Sequence, residues 1–194
     1  MGTEEEGFLD LIINSVEDAG LATESLGRLN ALLEELNQKT EESTAEMQQL
    51  SKPIDPNQAK PLINRQADNW ENFAQRAEAE LPILATKFRT AINSFTKAGQ
   101  LMNDFETLDR EAVQNSLDAI VNLKAVAINA QASTLDFRGA VQSVPRMTTR
   151  LNHAKRYLVE VLDRIVGEYQ AVENLSGEAE KMFQEVLEKI DSKK

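Results

Sequence analysis

Apolar side chains recur every three or four residues along the second quarter of the chain, without a polar interruption. The positions are Ile63, Ala67, Trp70, Ala74, Ala77, Leu81, Leu84, Phe88, Ala91, Phe95, Ala98, Met102 and Phe105. Because an α-helix turns once every 3.6 residues, this spacing puts all of these side chains on one face. A face that long must be buried, and we expect the single tryptophan, Trp70, to pack in the core. The pattern therefore restricts the chain to a bundle of long helices.

The same spacing, which we call a seam, appears at both ends of the sequence. In the first segment it includes Phe8, Ile12, Ala19, Ala22, Leu26, Leu29, Leu33, Leu36, Met47 and Leu50, with interruptions at Ser15, Thr40 and Ser43. In the last segment it includes Leu151, Leu158, Leu162, Ile165, Tyr169, Val172, Ala179, Phe183, Val186 and Ile190, and it continues across residues 174–177. We predict helices over approximately residues 4–51, 56–106, 109–143 and 145–191.

The third predicted helix differs because its apolar residues spread around the helix instead of keeping to one face. They are Val113, Leu117, Ile120, Val121, Leu123, Val126, Ile128, Leu135 and Val141. A helix that is apolar all round is typical of a buried position, so we expect this one to be the most buried of the four. An alternative function follows from the same composition: a membrane-active protein in which this helix becomes exposed and inserts into a bilayer.

Prolines and capping residues set the predicted boundaries. Asp55 before Pro56 is typical of an N-cap followed by a first-turn proline, and Asp109 lies where the third helix would begin. Pro82 lies inside the second helix and removes one backbone hydrogen bond there. Pro145 disfavours the helical conformation of the residue before it, so it either separates the last two helices or bends them into one longer helix.

These boundaries predict an all-α fold: an elongated, antiparallel, up-down-up-down four-helix bundle with long coiled-coil-like helices and kinks or breaks at Pro82 and Pro145. We expect residues 1–194 to form a single helical-bundle domain. Since the third segment is shorter than the other three, part of a seam is left without a partner within the chain. A second copy could cover it, which predicts a homodimer.

Cys and His, on which many catalytic and metal sites depend, are scarce in this chain. It has no Cys, which excludes disulfides, thiolate zinc sites and cysteine nucleophiles. Its one histidine, His153, follows Arg150 at the spacing where a di-metal site in a helical bundle requires Glu. The sequence also lacks a Gly-rich phosphate-binding loop and a Gly-x-Ser-x-Gly motif. We therefore expect no enzymatic activity, no cofactor and no metal site.

The net charge of −11 is concentrated in the first segment. Residues 1–50 contain twelve acidic and two basic residues, whereas the remainder of the chain is nearly neutral. An acidic chain repels phosphates, so we expect it to bind no nucleic acid. The acidic start of the sequence differs from an export signal, and no stretch approaches the length of a transmembrane helix. These features favour a cytoplasmic protein, or an extracytoplasmic one if the chain is part of a receptor.

Five cations, Arg138, Arg146, Arg150, Lys155 and Arg156, form the one basic concentration, with no acid between Arg138 and Glu160. One interpretation is structural: these cations lie beside the acidic first helix and offset its self-repulsion. The other is that they bind an anionic ligand or an acidic partner, with Arg146 and Arg150 one helical turn apart on the same face.

Taken together, the seams and the absent catalytic motifs favour a non-enzymatic helical bundle that acts as a protein interaction or scaffold module, with protein partners. The first alternative is a small-anion-sensing four-helix domain of a signalling receptor, in which the five cations form the ligand site. The membrane-active protein described above is the second.

Overall fold

A computed structural model describes residues 2–50, 52–102 and 108–193, with side chains from Gly7 onward. Within these residues the chain is entirely helical apart from its connections, and it forms a four-helix bundle. The helices are α1 (Gly2–Gln48), α2 (Pro56–Met102), α3 (Arg110–Ser143) and α4 (Thr149–Ser192). Two parts of the predicted helices, residue 51 and residues 103–106, lie outside the described residues. No described helix has the length and apolar character needed to cross a membrane.

Side-chain caps start α2 and α3 where the sequence predicts them. The Asp55 carboxylate accepts a hydrogen bond from the backbone N–H of Asn57 at 2.9 Å, and Pro56 is the first helical residue. The Asp109 carboxylate accepts one from the N–H of Glu111 at 3.0 Å. Each carboxylate satisfies a backbone donor that the first turn of a helix leaves without a partner, which fixes where the helix begins.

Pro82 and Pro145 have different effects on the helices. α2 is continuous through Pro82, which excludes a break at that position. At Pro145 the chain leaves the helical conformation, since α3 ends at Ser143 and α4 starts at Thr149. Of the two alternatives for the last segments, the structure has two separate helices instead of one bent helix.

The helices divide into two compact units, and all four helices contribute to each. Unit 1 comprises Met1–Leu26, Ile83–Ala130 and Glu168–Lys194. Unit 2 comprises Gly27–Pro82 and Gln131–Gly167.

Within unit 2, cross-helix contacts define the helix directions. The pairs Thr40–Trp70 and Glu46–Arg65 show that α1 and α2 are antiparallel, because the later residue of α1 meets the earlier residue of α2. Arg138 pairs with Asp163 while the nearby Gln142 meets Lys155, so α3 and α4 are antiparallel too.

α2 and α4 also contact each other in unit 2, and there they run parallel. Arg150 pairs with Asp68, and further along both helices Arg164 pairs with Glu78. The up-down-up-down order therefore places two helices of the same direction, α2 and α4, side by side.

In unit 1, α2 and α4 again pack closely. The rings of Phe95 and Phe183 meet edge to face, with centroids 5.8 Å apart and planes at 74°. A Cβ atom added to Gly99 would lie 2.9 Å from Sδ of Met182, so the missing side chain allows the helices to approach here. Edge-to-face aromatic contact and close backbone approach both add to the burial of apolar area.

The predicted seams form the core of both units. Every position of the α2 seam is buried except Phe105, which lies outside the described residues. On α1 and α4 the seam positions are also buried, apart from Met47, Leu50 and Ile190, which are half-buried. α4 continues without interruption across residues 174–177, as predicted, and Ser176 is buried there.

The expectation that α3 is the most buried helix is wrong. Its buried residues form one stripe, and Val121, Ile128 and Leu135 are exposed on its other side. The buried stripe keeps the three-four spacing and includes small and polar members: Val113, Ser116, Leu117, Ile120, Leu123, Ala127, Ala130, Thr134, Phe137 and Val141. A helix in a four-helix bundle has neighbours on one side only, so additional apolar residues remain at the surface.

The interruptions of the α1 seam are core positions as well. Ser15, Thr40 and Ser43 are all buried. Ser15 donates its hydroxyl hydrogen to the carbonyl of Ile12, and Thr40 donates to that of Leu36. The Thr40 hydroxyl oxygen in turn accepts the indole N–H of Trp70 at 3.1 Å, so the largest side chain of the core is held by a hydrogen bond to α1.

We expect Thr40→Val to destabilise the protein by about 1–3 kcal/mol, because it leaves the buried indole N–H of Trp70 without an acceptor. The matched control is Thr44→Val, one turn later on α1, which makes the same chemical change at an exposed position. Urea unfolding followed by far-UV circular dichroism measures both. Equal unfolding midpoints for the two variants would show that the Trp70 hydrogen bond adds no stability.

Candidate functional site

The basic cluster, Arg138, Arg146, Arg150, Lys155 and Arg156, surrounds the connection between α3 and α4 and lies wholly in unit 2. Arg138 is on the last turns of α3, Arg146 is in the connection, and the other three are on the first turns of α4. The structure gives these five cations three different environments.

Arg138 and Arg150 are used in ion pairs at the protein surface. Nε of Arg138 lies 2.5 Å from a carboxylate oxygen of Asp163, and its Nη1 donates to the side chain of Gln142. Arg150 pairs with Asp68 and lies 3.9 Å from the carboxylate of Glu71. Such exposed pairs contribute little to stability, about 0–1 kcal/mol each. The Arg138 pair joins α3 to α4, and the Arg150 pairs join α4 to α2.

The partners of these two arginines differ from the structural interpretation, which placed the cluster against the acidic first helix. The acids that pair with Arg138 and Arg150 belong to α4 and α2, respectively. On α1, Glu35 pairs with Lys39 of the same helix and Glu46 pairs with Arg65 of α2.

The prediction that Arg146 and Arg150 lie one helical turn apart on one face is wrong, because α4 begins later than residue 145. The Thr148 hydroxyl oxygen accepts the backbone N–H of Leu151 at 3.1 Å. This makes Thr148 the N-cap and Thr149 the first residue of the helix. Arg146 therefore lies outside α4, in the connection.

Lys155 has a structural role at the end of α3. Its Nζ donates to the backbone carbonyls of Gln142 and Val144, at 2.8 and 2.7 Å. The last carbonyls of a helix have no partner within the helix, and a cation there also offsets the negative end of the helix dipole. Lys155 of α4 therefore supplies hydrogen bonds to carbonyls at the end of α3 and links the α3–α4 connection to α4.

Three members of the cluster, Arg146, Lys155 and Arg156, line one cleft of about 370 Å³, which we call the basic cleft. Arg146 and Arg156 are exposed. The other lining residues are Gln142, Asn152, Val159 and Glu160. Oδ1 of Asn152 is buried and has no hydrogen-bond partner among the described residues. The cleft therefore brings two exposed guanidinium groups together with the amide of Asn152 and the carboxylate of Glu160.

One polar cluster escaped the sequence analysis. Tyr157 donates its hydroxyl hydrogen to Glu78 of α2, and Arg164 donates to the other oxygen of the same carboxylate at 3.0 Å. The hydrogen bond from Tyr157, followed by that from Arg164, holds the pKa of Glu78 below its usual range. The same hydrogen bond raises the pKa of Tyr157. Tyr157 and Arg164 lie two turns apart on α4, but nothing in the sequence indicates that Glu78 lies opposite them.

Metal ligands are not grouped in the described part of the chain: no three or more His, Asp or Glu side chains come together there in a way that could hold an ion. His153 is exposed on the first turns of α4.

Comparison of the chain with protein-family models, with curated proteins and with solved structures finds no match. A function must therefore be argued from the residues of this chain.

We expect Lys155→Met to cost about 1 kcal/mol of stability, because it keeps the apolar stem but removes the donor that satisfies the two carbonyls. Arg156→Met is the matched control, since it removes the neighbouring cation at an exposed position and should change stability by less than about 0.5 kcal/mol. Urea unfolding compares the two. A loss that is equal in both variants would point to net charge, not to capping, as its cause.

We expect Tyr157→Phe to raise the pKa of Glu78 toward that of an ordinary carboxyl group, and Arg164→Gln to raise it less. The order follows because the hydrogen bond from Tyr157 is the larger of the two causes. Carboxyl carbon chemical shifts recorded against pH measure each value. Since folding lowers this pKa, the stabilisation is present above the pKa of the unfolded chain and is lost as the pH falls through the folded value. An unchanged pKa in Tyr157→Phe would contradict the assignment.

Proposed function

We propose that the protein is a non-enzymatic helical-bundle interaction module that binds a partner helix along residues 9–20 of α1. The observation that carries the proposal is an exposed apolar strip in unit 1, formed by Leu9, Ile13, Val16 and Gly20, which we call the α1 strip. Leu9 and Ile13 are exposed and Val16 is half-buried. The four residues are spaced four, three and four apart, so they share one face of α1 beside its buried seam.

The spacing of the α1 strip matches the contact face of a helix that packs against another helix. Successive turns offer Leu9, Ile13 and Val16 as apolar contacts, in the three-four alternation that coiled-coil packing uses. At Gly20, a Cβ atom would meet nothing within 4 Å, so this position is open and allows a second backbone to come close. Exposed apolar residues that are grouped in this way favour a protein interface.

Charge indicates which kind of partner fits. Asp10 and Glu17 are exposed and follow Leu9 and Val16 directly in the sequence, so both border the strip on the same side. They belong to the segment that holds nearly all of the net negative charge of the chain. A helix with an apolar face bordered by Lys or Arg would bury its apolar side chains on the strip and place its cations against these acids.

The experiment compares Ile13→Gln with Leu175→Gln. Both residues are exposed apolar side chains of unit 1, at 54% and 51%, and glutamine suits a helix surface. Proteins of the source cells that the wild type captures are identified and then purified, and their affinities are measured by calorimetry. We expect Ile13→Gln to weaken binding about tenfold or more, as for a central interface residue, and Leu175→Gln to leave it unchanged.

Salt provides a second readout. If Asp10 and Glu17 meet basic residues, binding should weaken as the salt concentration rises, and Glu17→Gln should reduce that dependence. A captured partner that binds Ile13→Gln and wild type equally well would refute the α1 strip as the interface. So would a partner that both glutamine variants lose to the same extent.

A second candidate function, binding of a small anion as in a sensory domain, is favoured by the basic cleft. Arg146 and Arg156 are exposed there, without an ion pair among the described residues. Two guanidinium groups can bind the oxygens of a phosphate or carboxylate. The two candidates require different residues, since the anion site depends on unit 2 and the α1 strip belongs to unit 1.

A further inference from the structure

Unit 2 contains a larger cleft of about 690 Å³, which we call the end cleft. It lies where the last turns of α1 meet the α1–α2 connection, the start of α2 and the α3–α4 connection. Its apolar lining includes Met47, Leu50, Ile54, Val144, Met147 and Leu151. Its volume falls in the range of about 300–1,000 Å³ that is typical of sites for small molecules.

The apolar wall of the end cleft is incomplete. Ile54 and Met147 are exposed, although both are large apolar side chains. Met47 continues the three-four seam of α1 but is only half-buried, unlike Leu36 earlier on the same seam. Burial of these side chains by an apolar molecule would remove their surface from water, which is favourable in proportion to the area covered.

Gln66 supplies a specific polar contact in this cleft. It belongs to α2, lines the cleft and is only 3% exposed. Its Oε1 is buried and has no hydrogen-bond partner among the described residues. A buried acceptor without a donor is costly, and nearly all such groups in folded proteins find a partner. A ligand that enters the cleft with an O–H group can supply that donor.

The neighbouring hydroxyl groups of Thr40 and Thr44 already donate hydrogen bonds to backbone carbonyls. Thr40, which also lines the cleft, donates to the carbonyl of Leu36 and accepts the indole N–H of Trp70. Thr44 donates to the carbonyl of Thr40 at 2.8 Å. Neither hydroxyl hydrogen is therefore available to Gln66. Among the described residues, Oε1 of Gln66 is left without a donor.

Charged residues at the rim indicate a neutral ligand. Glu41 and Lys52 both line the cleft, so they contribute one negative and one positive charge. A carboxylate would also place an acceptor against the acceptor of Gln66, which is repulsive.

We propose that the end cleft binds a neutral amphiphile, with its apolar chain against Ile54 and Met147 and its hydroxyl group donating to Oε1 of Gln66. This is a small-molecule site in unit 2, and it does not depend on the α1 strip proposed above to bind a partner helix.

The test uses 1-octanol and its isomer 1-methoxyheptane, which has the same atoms but no O–H donor. The indole N–H of Trp70 reports binding in nitrogen-15 spectra, because its acceptor Thr40 lines the cleft and the chain has one tryptophan. We expect saturable shifts of this signal and of Ile54 and Met147. We also expect 1-octanol to bind about fivefold more tightly than the ether, which is the usual effect of one neutral hydrogen bond.

Gln66→Met tests the assigned acceptor, because it keeps the approximate side-chain length and removes the amide. The variant should bind the alcohol and the ether with equal affinity. Gln75→Met, an exposed position on α2 in the same unit, is the control and should keep the preference for the alcohol.

Three results would overturn the proposal: no saturable shift in the wild-type protein, shifts confined to residues outside the cleft, or equal wild-type affinities for the alcohol and the ether. The wild-type comparison tests the proposal even without the Gln66 variant, because the two probes have the same atoms and the ether has no O–H donor.

Discussion

Burial of the α2 seam is the constraint on which the rest of the structure depends. Ala67, Ala74 and Ala77 are completely buried between large side chains such as Trp70 and Leu81. Alternation of small and large residues lets neighbouring helices approach at the small positions and interlock at the large ones. α2 is also the helix that contacts both α1 and α4 in unit 2, through Trp70 and Glu78. The directions of α1 and α4 follow from their contacts with this helix, and the direction of α3 follows from its contacts with α4.

The positions of the core could be predicted because they depend on local periodicity. A side chain on the α2 or α4 seam faces the same side of its helix whatever the neighbour is, so spacing alone identifies it. In α3, spacing alone does not identify the buried residues. Val121 and Ile120 are adjacent and equally apolar, yet the first is exposed and the second is buried. Which of them faces the core is decided by where the other helices lie, and a single sequence does not contain that information.

The basic cluster could be predicted as a group of residues but not as a site. Because the five cations are close in sequence, they lie around one connection, between α3 and α4. Their separate roles depend on tertiary partners: Asp68 and Asp163 for two arginines, and the open carbonyls of α3 for Lys155. The start of α4 at Thr149 then moves Arg146 off the helix. The contact between Glu78 and Tyr157 is of the same kind, because it joins residues of different helices that are distant in sequence.

The buried polar residues Ser15, Thr40 and Gln66 differ in how far their polar groups lie from the backbone. The hydroxyl groups of Ser15 and Thr40 are close to the backbone, so each can donate to a carbonyl of the preceding turn without leaving its helix. Such residues occupy a seam position without requiring a hydrogen-bond acceptor from a neighbouring helix. This explains why the α1 seam tolerates them. The amide of Gln66 is held farther from its own backbone, and its oxygen has no donor among the described residues. A buried side chain of this kind depends on a group from outside its helix. Gln66 lines the end cleft, whose apolar wall the helices leave partly uncovered, and a molecule that covers that wall is also placed to satisfy Gln66.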